Sequence, residues 1–345
     1  MRAFLLIALL AAAAHAQMPP AAQLHNETPK LKPRPSATKF TFVVAGDNRP
    51  AKAADPLTRP FLDLVDRIAA QRPAFVVWNG DTMFGKSAIG SAAQYAQFLR
   101  AMRKVRAPIF NAPGNHELVV QTNIPCQDGA WNAELPDWSG SMLAEYRKAM
   151  GAPYGMFRYG NAAFLLVNTD DVPDVAIPTA CDYNGMIGQA QLTALQASLD
   201  QLGADDSVAH IFVFMHRPVH DDNFSMMSGP ADTDYGNRLA AFSALLDGTA
   251  HPKMTFVFAS HDHRLYVYPA PTTPVGPWSR SAPSTTDPTF IVTGGAGAPL
   301  TGCKDGVGPV GSFYHYTTVT VDGAEVTVTV NPLYGTTPCA VAAVK

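Results

Sequence analysis

The chain has 345 residues, enough for one large or two ordinary domains, and its 25 Lys and Arg against 28 Asp and Glu leave a formal charge of −3. That balance excludes the basic surface of a general nucleic-acid binder, so no specific nucleic-acid partner is expected and a polyanion would have to be held locally. Beyond the N-terminal segment no apolar stretch approaches the roughly 18 to 20 residues that cross a bilayer, so no membrane anchor is expected.

Residues 1–16 read as a secretory signal peptide: Arg2, the run AFLLIALLAAAA, then Ala14-His15-Ala16 as a small-x-small cleavage site. The expected location is secreted or periplasmic. Residues 17–38 carry Pro19, Pro20, Pro29, Pro33 and Pro35 with almost no large apolar residues, which is linker composition. A single domain over 39–335 and a C-terminal tail over 336–345 are expected to follow. Cys126, Cys181, Cys303 and Cys339 form no C-x-x-C pair, so outside the cytoplasm they predict two disulfides rather than a zinc site. Of the three possible pairings, Cys126 with Cys181 and Cys303 with Cys339 is expected, tying two long loops together and pinning the tail.

The fold opens on FTFVVAG, Phe40 to Gly46, an apolar run that stops abruptly at Asp47, Asn48 and Arg49. Phe61, Val65 and Ile68 then recur at helical spacing until Pro73, and FVVWNGD follows at once, a β-α-β unit. Tyr95, Phe98, Met102 and Val105 predict a helix entered through Ser91, and a short strand at Ile109 and Phe110 runs into NAPGNHE. A hairpin at Gly160-Asn161 joins GMFRY to AAFLLVNTD. Next come a helix marked by Leu192, Leu195, Leu199 and Leu202, the strand VAHIFVFMH, a helix around Leu239 and Phe242, and the strand MTFVFASHDH. TFIVTGGAGAPL and a final hairpin through Asp322-Gly323 close the chain. Strands alternate with helices first and hairpins come last, so the class is α/β with mixed sheets.

Five of these strands end in polar residues of one kind: Asp47, Asp81, Asn115-His116-Glu117, His216, and His261-Asp262-His263. Ligands of α/β sheets bind at the carboxyl ends of strands, where loops converge on a rigid frame. Any one of these residues has an ordinary reading as a turn former, cap or satisfied polar group. Taken together, two Asp, one Asn and three His supply O and N ligands suited to zinc, manganese or iron.

In this order Asp47, Gly80-Asp81, Gly114-Asn115-His116-Glu117, His216 and His261-x-His263 resemble the motifs of calcineurin-like metallophosphoesterases, from about Phe40 to Val330. GNHE together with His216-Arg217-Pro218 leans toward the purple acid phosphatase branch. The resemblance implies a four-layer sandwich of two mixed sheets flanked by helices. It also implies two divalent or trivalent ions (Mn, Fe or Zn), bridged by Asp81, with Asn115, His216 and His261 on the second and Asp47 and His263 on the first. Small phosphorylated substrates, mono- or diesters, would be hydrolysed by a metal-activated hydroxide, with His116 assisting the leaving group; pyrophosphate fits the same centre. Oligomeric state is not legible.

Three positions depart from the family pattern. Ser260 replaces the usual Gly, Phe84 stands where purple acid phosphatases place a metal-binding Tyr, and Arg49 where other members place a His. The first metal site is therefore short of a ligand and expected to be weak, which leaves a catalytically silent binding protein as the alternative function. A guanidinium has no lone pair for a cation, so Arg49 is expected either to grip substrate phosphate beside Asn115 and His116, or to point outward to a carboxylate such as Asp55. Gly294 to Gly297 reads as a phosphate nest or a tight turn. The long segments Leu118–Gly140 and Asp171–Gly188 read as a substrate rim or as loops packed by their aromatics.

Overall fold

Alternation along the first strand puts Phe40, Phe42 and Val44 on one face and Val43 and Ala45 on the other, and both faces are buried. A strand buried on both sides needs a layer on each side. The computed structural model, which describes residues 17–24, 29–121, 134–222, 227–247, 250–273, 275–304 and 308–339, has both layers.

The first half runs β1 (Lys39–Ala45), α1 (Arg59–Gln71), β2 (Val76–Asn79), α2 (Ser91–Met102), β3 (Ile109–Ala112) and the single turn α3 (Asn115–Leu118). After the ribbon of β4 (Val119–Gln121) and β5 (Glu134–Pro136) come α4 (Ser141–Met150), β6 (Gly155–Tyr159), β7 (Ala162–Leu166), α5 (Gln189–Ala204), β8 (His210–Phe214), α6 (Asp234–Leu246) and β9 (Met254–Ala259). The chain ends with β10 (Leu265–Tyr268), β11 (Trp278–Ser281), β12 (Thr289–Thr293), β13 (His315–Asp322) and β14 (Glu325–Pro332).

One six-stranded sheet has the order β11-β14-β13-β1-β2-β3, and the other β10-β12-β9-β8-β7-β6. In the first, β1, β2 and β3 run parallel while β13 lies antiparallel to β1, with Val319 opposite Phe42. In the second, β7, β8, β9 and β12 are parallel and β6 and β10 form antiparallel edges. Phe42, Phe75, Phe164, Phe212, Phe214 and Phe258 fill the space between the sheets. Outside, α1, α2 and α4 cover the first sheet through Phe61, Phe98 and Tyr146, and α5 and α6 cover the second through Leu195, Leu199, Leu239 and Phe242. Helices, sheet, sheet and helices make the four-layer sandwich that the resemblance implied.

Part of the segment expected as a linker lies on this body. Met18 and Leu24 are buried, Ala21 N donates to Met156 O at 2.8 Å, and Leu24 N donates to Ile109 O at 2.9 Å. Residues 17–24 thus cover β6 and β3, one edge strand of each sheet. Proline is compatible with such a strap, because an edge partner uses only some of its N–H groups. Cys303 and Cys339 are bridged, with Cα atoms 5.5 Å apart. Cys181 is also disulfide-bonded, and Cys126, its expected partner, lies outside the described residues.

Candidate metal centre

Parallel running of β1 to β3 in one sheet and of β8 and β9 in the other brings all five polar strand ends to one edge of the sandwich. Three residues there hold left-handed backbone without being glycine: Asp47 (φ 63°), Asp81 (φ 53°) and His261 (φ 70°). Non-glycine residues in that region are uncommon and persist where surroundings over-determine them. Here Asp47 N donates to Gly80 O (3.1 Å), Asn48 N to Asp81 O (3.1 Å), and His261 N to Asp47 Oδ2 (2.7 Å). Gly114 permits the close approach, since a Cβ there would stand 2.4 Å from Asp81 Oδ1.

Four side chains converge behind this frame. His216 Nε2 lies 2.9 Å from Asn115 Oδ1, 3.2 Å from His261 Nδ1 and 3.3 Å from Asp81 Oδ1, and His261 Nδ1 is 3.1 Å from Asn115 Oδ1. The proton of His216 is on Nδ1, donated to Asn79 O at 2.8 Å, so Nε2 presents a lone pair. Arg217 Nη1 donates to His261 Nε2 at 3.1 Å, which puts the proton of that ring on Nδ1. Asn115 Oδ1, His216 Nε2 and His261 Nδ1 therefore have one proton among them, on His261 Nδ1, while Asp81 Oδ1 accepts from His116 N at 3.1 Å. Atoms about 2.0 to 2.2 Å from one cation stand roughly 3.0 to 3.5 Å apart, the spacing seen here, so the donor set fits a metal. A cation held at His261 Nδ1 would require the ring proton on Nε2, the atom that now accepts from Arg217.

The neighbouring position is poorer. Asp47 Oδ1 is buried with no hydrogen-bond partner, 3.8 Å from His263 Nε2 and 3.9 Å from His216 Nδ1. His263 gives its Nδ1 proton to Pro299 O at 2.6 Å and so also presents a lone pair. Ligand atoms of Asp47, Asp81 and His216 lie within 4.8 Å of one another. Burial and then the charge of Asp81 push the Asp47 carboxyl well up, with Arg49 pulling the other way. Burial also opposes ionisation of Asp81, but His116, His216 and Arg49 outweigh it and hold that carboxyl low. Asp47 is thus the buried carboxyl left short of positive charge.

Residues 40–265 match the family described as calcineurin-like phosphoesterase. The chain belongs to that family. No curated protein matches the sequence. Its fold is similar to that of a purple acid phosphatase from yellow lupin (Lupinus luteus) seeds, at 14% identity and TM-score 0.59, covering 88% of this chain and 53% of that one. A dimetal phosphatase from Danio rerio (15% identity, TM-score 0.51, 84% of this chain and 98% of that one) and PhoD (13%, 0.53, 86% and 66%) share the fold. This chain thus spans about half the length of the lupin enzyme, 53%.

As a calcineurin-like phosphoesterase the chain accommodates its departures individually. Ser260 donates to Thr293 O at 3.3 Å, and His261 takes the left-handed place in that turn. Phe84 packs edge-on against the His116 ring, centroids 5.7 Å apart, and its carbonyl accepts the His116 Nδ1 proton. His116 Nε2 is left 3.8 Å from Asp81 Oδ2, and burial, only partly opposed by Asp81, holds the ring well below its ordinary value. Arg49 turns inward, away from Asp55, and the anion it meets is Asp81: Nε donates to Oδ2 at 3.3 Å. The Gly294 loop packs on the neighbouring strand ends, since Gly294 N donates to Arg264 O, Ala296 N to Gly46 O and Ala298 N to Asp47 O, so these groups are not offered to a phosphate. His220 lies elsewhere, paired with Asp247 at 2.7 Å.

Sequence reading named Glu117 and Arg217 only as members of motifs, without a role, and missed Glu134. Glu117 accepts from the backbone of Gly114 (2.7 Å), Asp81 (2.9 Å) and Thr82 (2.7 Å), knitting the β2 and β3 loops together, and burial with Asp81 raises it to about 8. Glu134, from the first long loop, accepts from Asn115 Nδ2 at 2.7 Å and from Lys86, and so turns the amide oxygen of Asn115 toward the imidazoles. Arg217 reaches Glu134 (2.5 Å), Asp170 (2.9 Å) and Asn184 (3.1 Å), beneath the ring of Tyr183. The described ends of both long loops therefore border the centre, while 122–133, with Trp131, lie outside the described residues.

Proposed function

We propose that this chain hydrolyses small phosphate mono- or diesters, in a secreted or periplasmic setting. The convergence of Asn115 Oδ1, His216 Nε2, His261 Nδ1 and Asp81 Oδ1, with a single imidazole proton among them, carries the reading. Asn115, His216, His261 and Asp81 Oδ1 would hold one cation, and Asp47, His263 and Asp81 Oδ2 a second and weaker one. When bound, such ions lower the pKa of a water and neutralise charge building on the phosphate oxygens. The protein supplies the remaining parts. Arg49, Asn115 and His116 contact phosphate oxygens, and His116 passes a proton from Nε2 to the departing oxygen while Phe84 O holds the opposite edge of the ring. The anionic phosphate beside Nε2 raises its proton affinity against the effect of burial, so the ring takes from solvent the proton it later passes on.

Extracellular placement is supported by the signal-like N-terminus and by the disulfide-bonded cysteines. The test is hydrolysis of p-nitrophenyl phosphate and bis(p-nitrophenyl) phosphate by chelator-treated protein with manganese, zinc or iron restored. His116→Asn should retain the metal while lowering kcat by roughly 100- to 10,000-fold, the range for lost general acid catalysis. No hydrolysis of either ester under any metal sinks the proposal.

A further inference from the structure

The two oxygens of Asp81 face different charges. Oδ1 is turned to His216 Nε2 at 3.3 Å and to the His116 backbone N–H at 3.1 Å. Oδ2 is turned to Arg49 Nε at 3.3 Å and to His116 Nε2 at 3.8 Å. Arg49 is mostly buried, with 19% of its side chain exposed, and its charge acts on Asp47, Asp81, His116 and His263 alike. Those residues surround the weaker cation position. We propose that the Arg49 guanidinium is a tethered cation standing in for the second metal ion, so that the working centre holds one tightly bound ion and one fixed organic charge.

Charge counting supports the assignment. One divalent ion with the guanidinium exceeds the charge of the Asp47 and Asp81 carboxylates by one, whereas two divalent ions with it exceed that charge by three. Uncompensated buried charge of that size is strongly unfavourable. Ligand spacing agrees: His216 Nε2 lies 2.9 to 3.3 Å from Asn115 Oδ1, His261 Nδ1 and Asp81 Oδ1, while the other position has Asp47 and His263 3.8 Å apart and an Asp81 oxygen already taken by Arg49. A guanidinium stays protonated at all working pH values and cannot be chelated away, so it neutralises Asp81 Oδ2 permanently. Its remaining N–H groups are suited to a phosphate oxygen, so one residue can balance the carboxylate and receive substrate.

The inference rests on the metallophosphoesterase reading above, and metal stoichiometry separates the two. Full-length mature protein titrated with Mn²⁺ by calorimetry, with the same samples examined by EPR, should bind one ion tightly and show the six-line spectrum of an isolated Mn²⁺. Arg49→His, which removes the charge and adds an imidazole, should bind two ions and show the broadened, exchange-coupled spectrum of a pair. Arg49→Ala should gain the second ion more weakly, with wild-type affinity for the first within about threefold. Two tight ions in the wild type overturn the inference while leaving the phosphoesterase reading intact. A single ion in both variants also overturns it, because Arg49 would not then be what excludes the second. Absence of any tight ion, together with absent ester hydrolysis, removes both.

Discussion

Asn115 illustrates how much of a metal ligand lies outside the ligand. Its amide has two faces, and only a fixed donor decides that oxygen rather than nitrogen meets a cation. Glu134 decides it by accepting the Nδ2 proton at 2.7 Å, and Lys86 and Arg217 in turn hold Glu134, which they keep ionised against the opposing effect of burial. Glu134→Ala should therefore weaken Mn²⁺ binding by roughly 10- to 100-fold, the usual consequence of losing such a partner. Glu134→Gln should lose less, since its Oε1 can still accept from Asn115. Calorimetric Kd values for the three proteins check this, and equal affinities would show that Asn115 orients itself. Asp47, Asp81, His216 and His261 were legible from sequence because each ends an apolar strand. Glu134 was not, because it opens the three-residue strand β5, 19 residues past Asn115 in a stretch without apolar periodicity, and earns its place only through a contact across the fold.

At the scale of elements, α4 was missed, although Met142, Tyr146 and Met150 are spaced by four residues and all face inward. The signal is short and follows a long irregular stretch, so periodicity alone had little length to act on. What starts the helix is Asp137, three residues before its Gly140 N-cap: its carboxylate accepts from Met142 N at 2.6 Å, Ser141 Oγ at 2.9 Å and Ser139 N at 3.1 Å. Burial opposes the charge, but these donors win and hold the carboxyl below its ordinary value. A carboxyl lowered in the folded state stabilises fully above its unfolded pKa and loses that contribution as pH falls through the folded one. Asp137→Ala should cost about 1 to 2 kcal/mol at neutral pH, the range for a lost helix cap. Below about pH 4 the gap from wild type should narrow, since the wild-type carboxylate is being protonated. Urea melts at pH 7 and pH 3.5 measure both, and a gap that widens in acid would contradict the assignment. By contrast α1, α5 and α6 were legible because long apolar stripes face one sheet each.

For the molecule as a whole, the centre is divided between the sheets: Asp47, Asp81 and Asn115 follow strands of one, and His216, His261 and His263 follow strands of the other. Sequence order revealed both sets of strands but not which faces meet, because facing residues are far apart in the chain and apolar runs carry no label for their partner. The same blindness hid the strap of residues 17–24, whose few apolar anchors, Met18 and Leu24, matter only beside the edges they cover. Phe164 lies where the sheets meet. It is fully buried, stacked on Phe157 (4.8 Å) and Phe212 (5.3 Å) and edge-on to Phe75 (4.9 Å) and Phe42 (5.3 Å). Phe164→Ala removes the ring that touches both sheets and should cost about 3 to 5 kcal/mol, as large cavities in packed cores do. The strand ends lie beyond this layer on the rigid edge, so the cavity should lower the thermal midpoint without removing the metal ligands. Saturating Mn²⁺ stabilises whatever folded state binds it by mass action, so it should raise the unfolding free energy of variant and wild type by the same amount. Calorimetric melts with and without the ion test both halves of the argument. An unchanged midpoint would show that the sheets are held together elsewhere. A stabilising effect of Mn²⁺ lost only in the variant would show that the aromatic layer, and not the strand ends alone, sets the geometry of the centre.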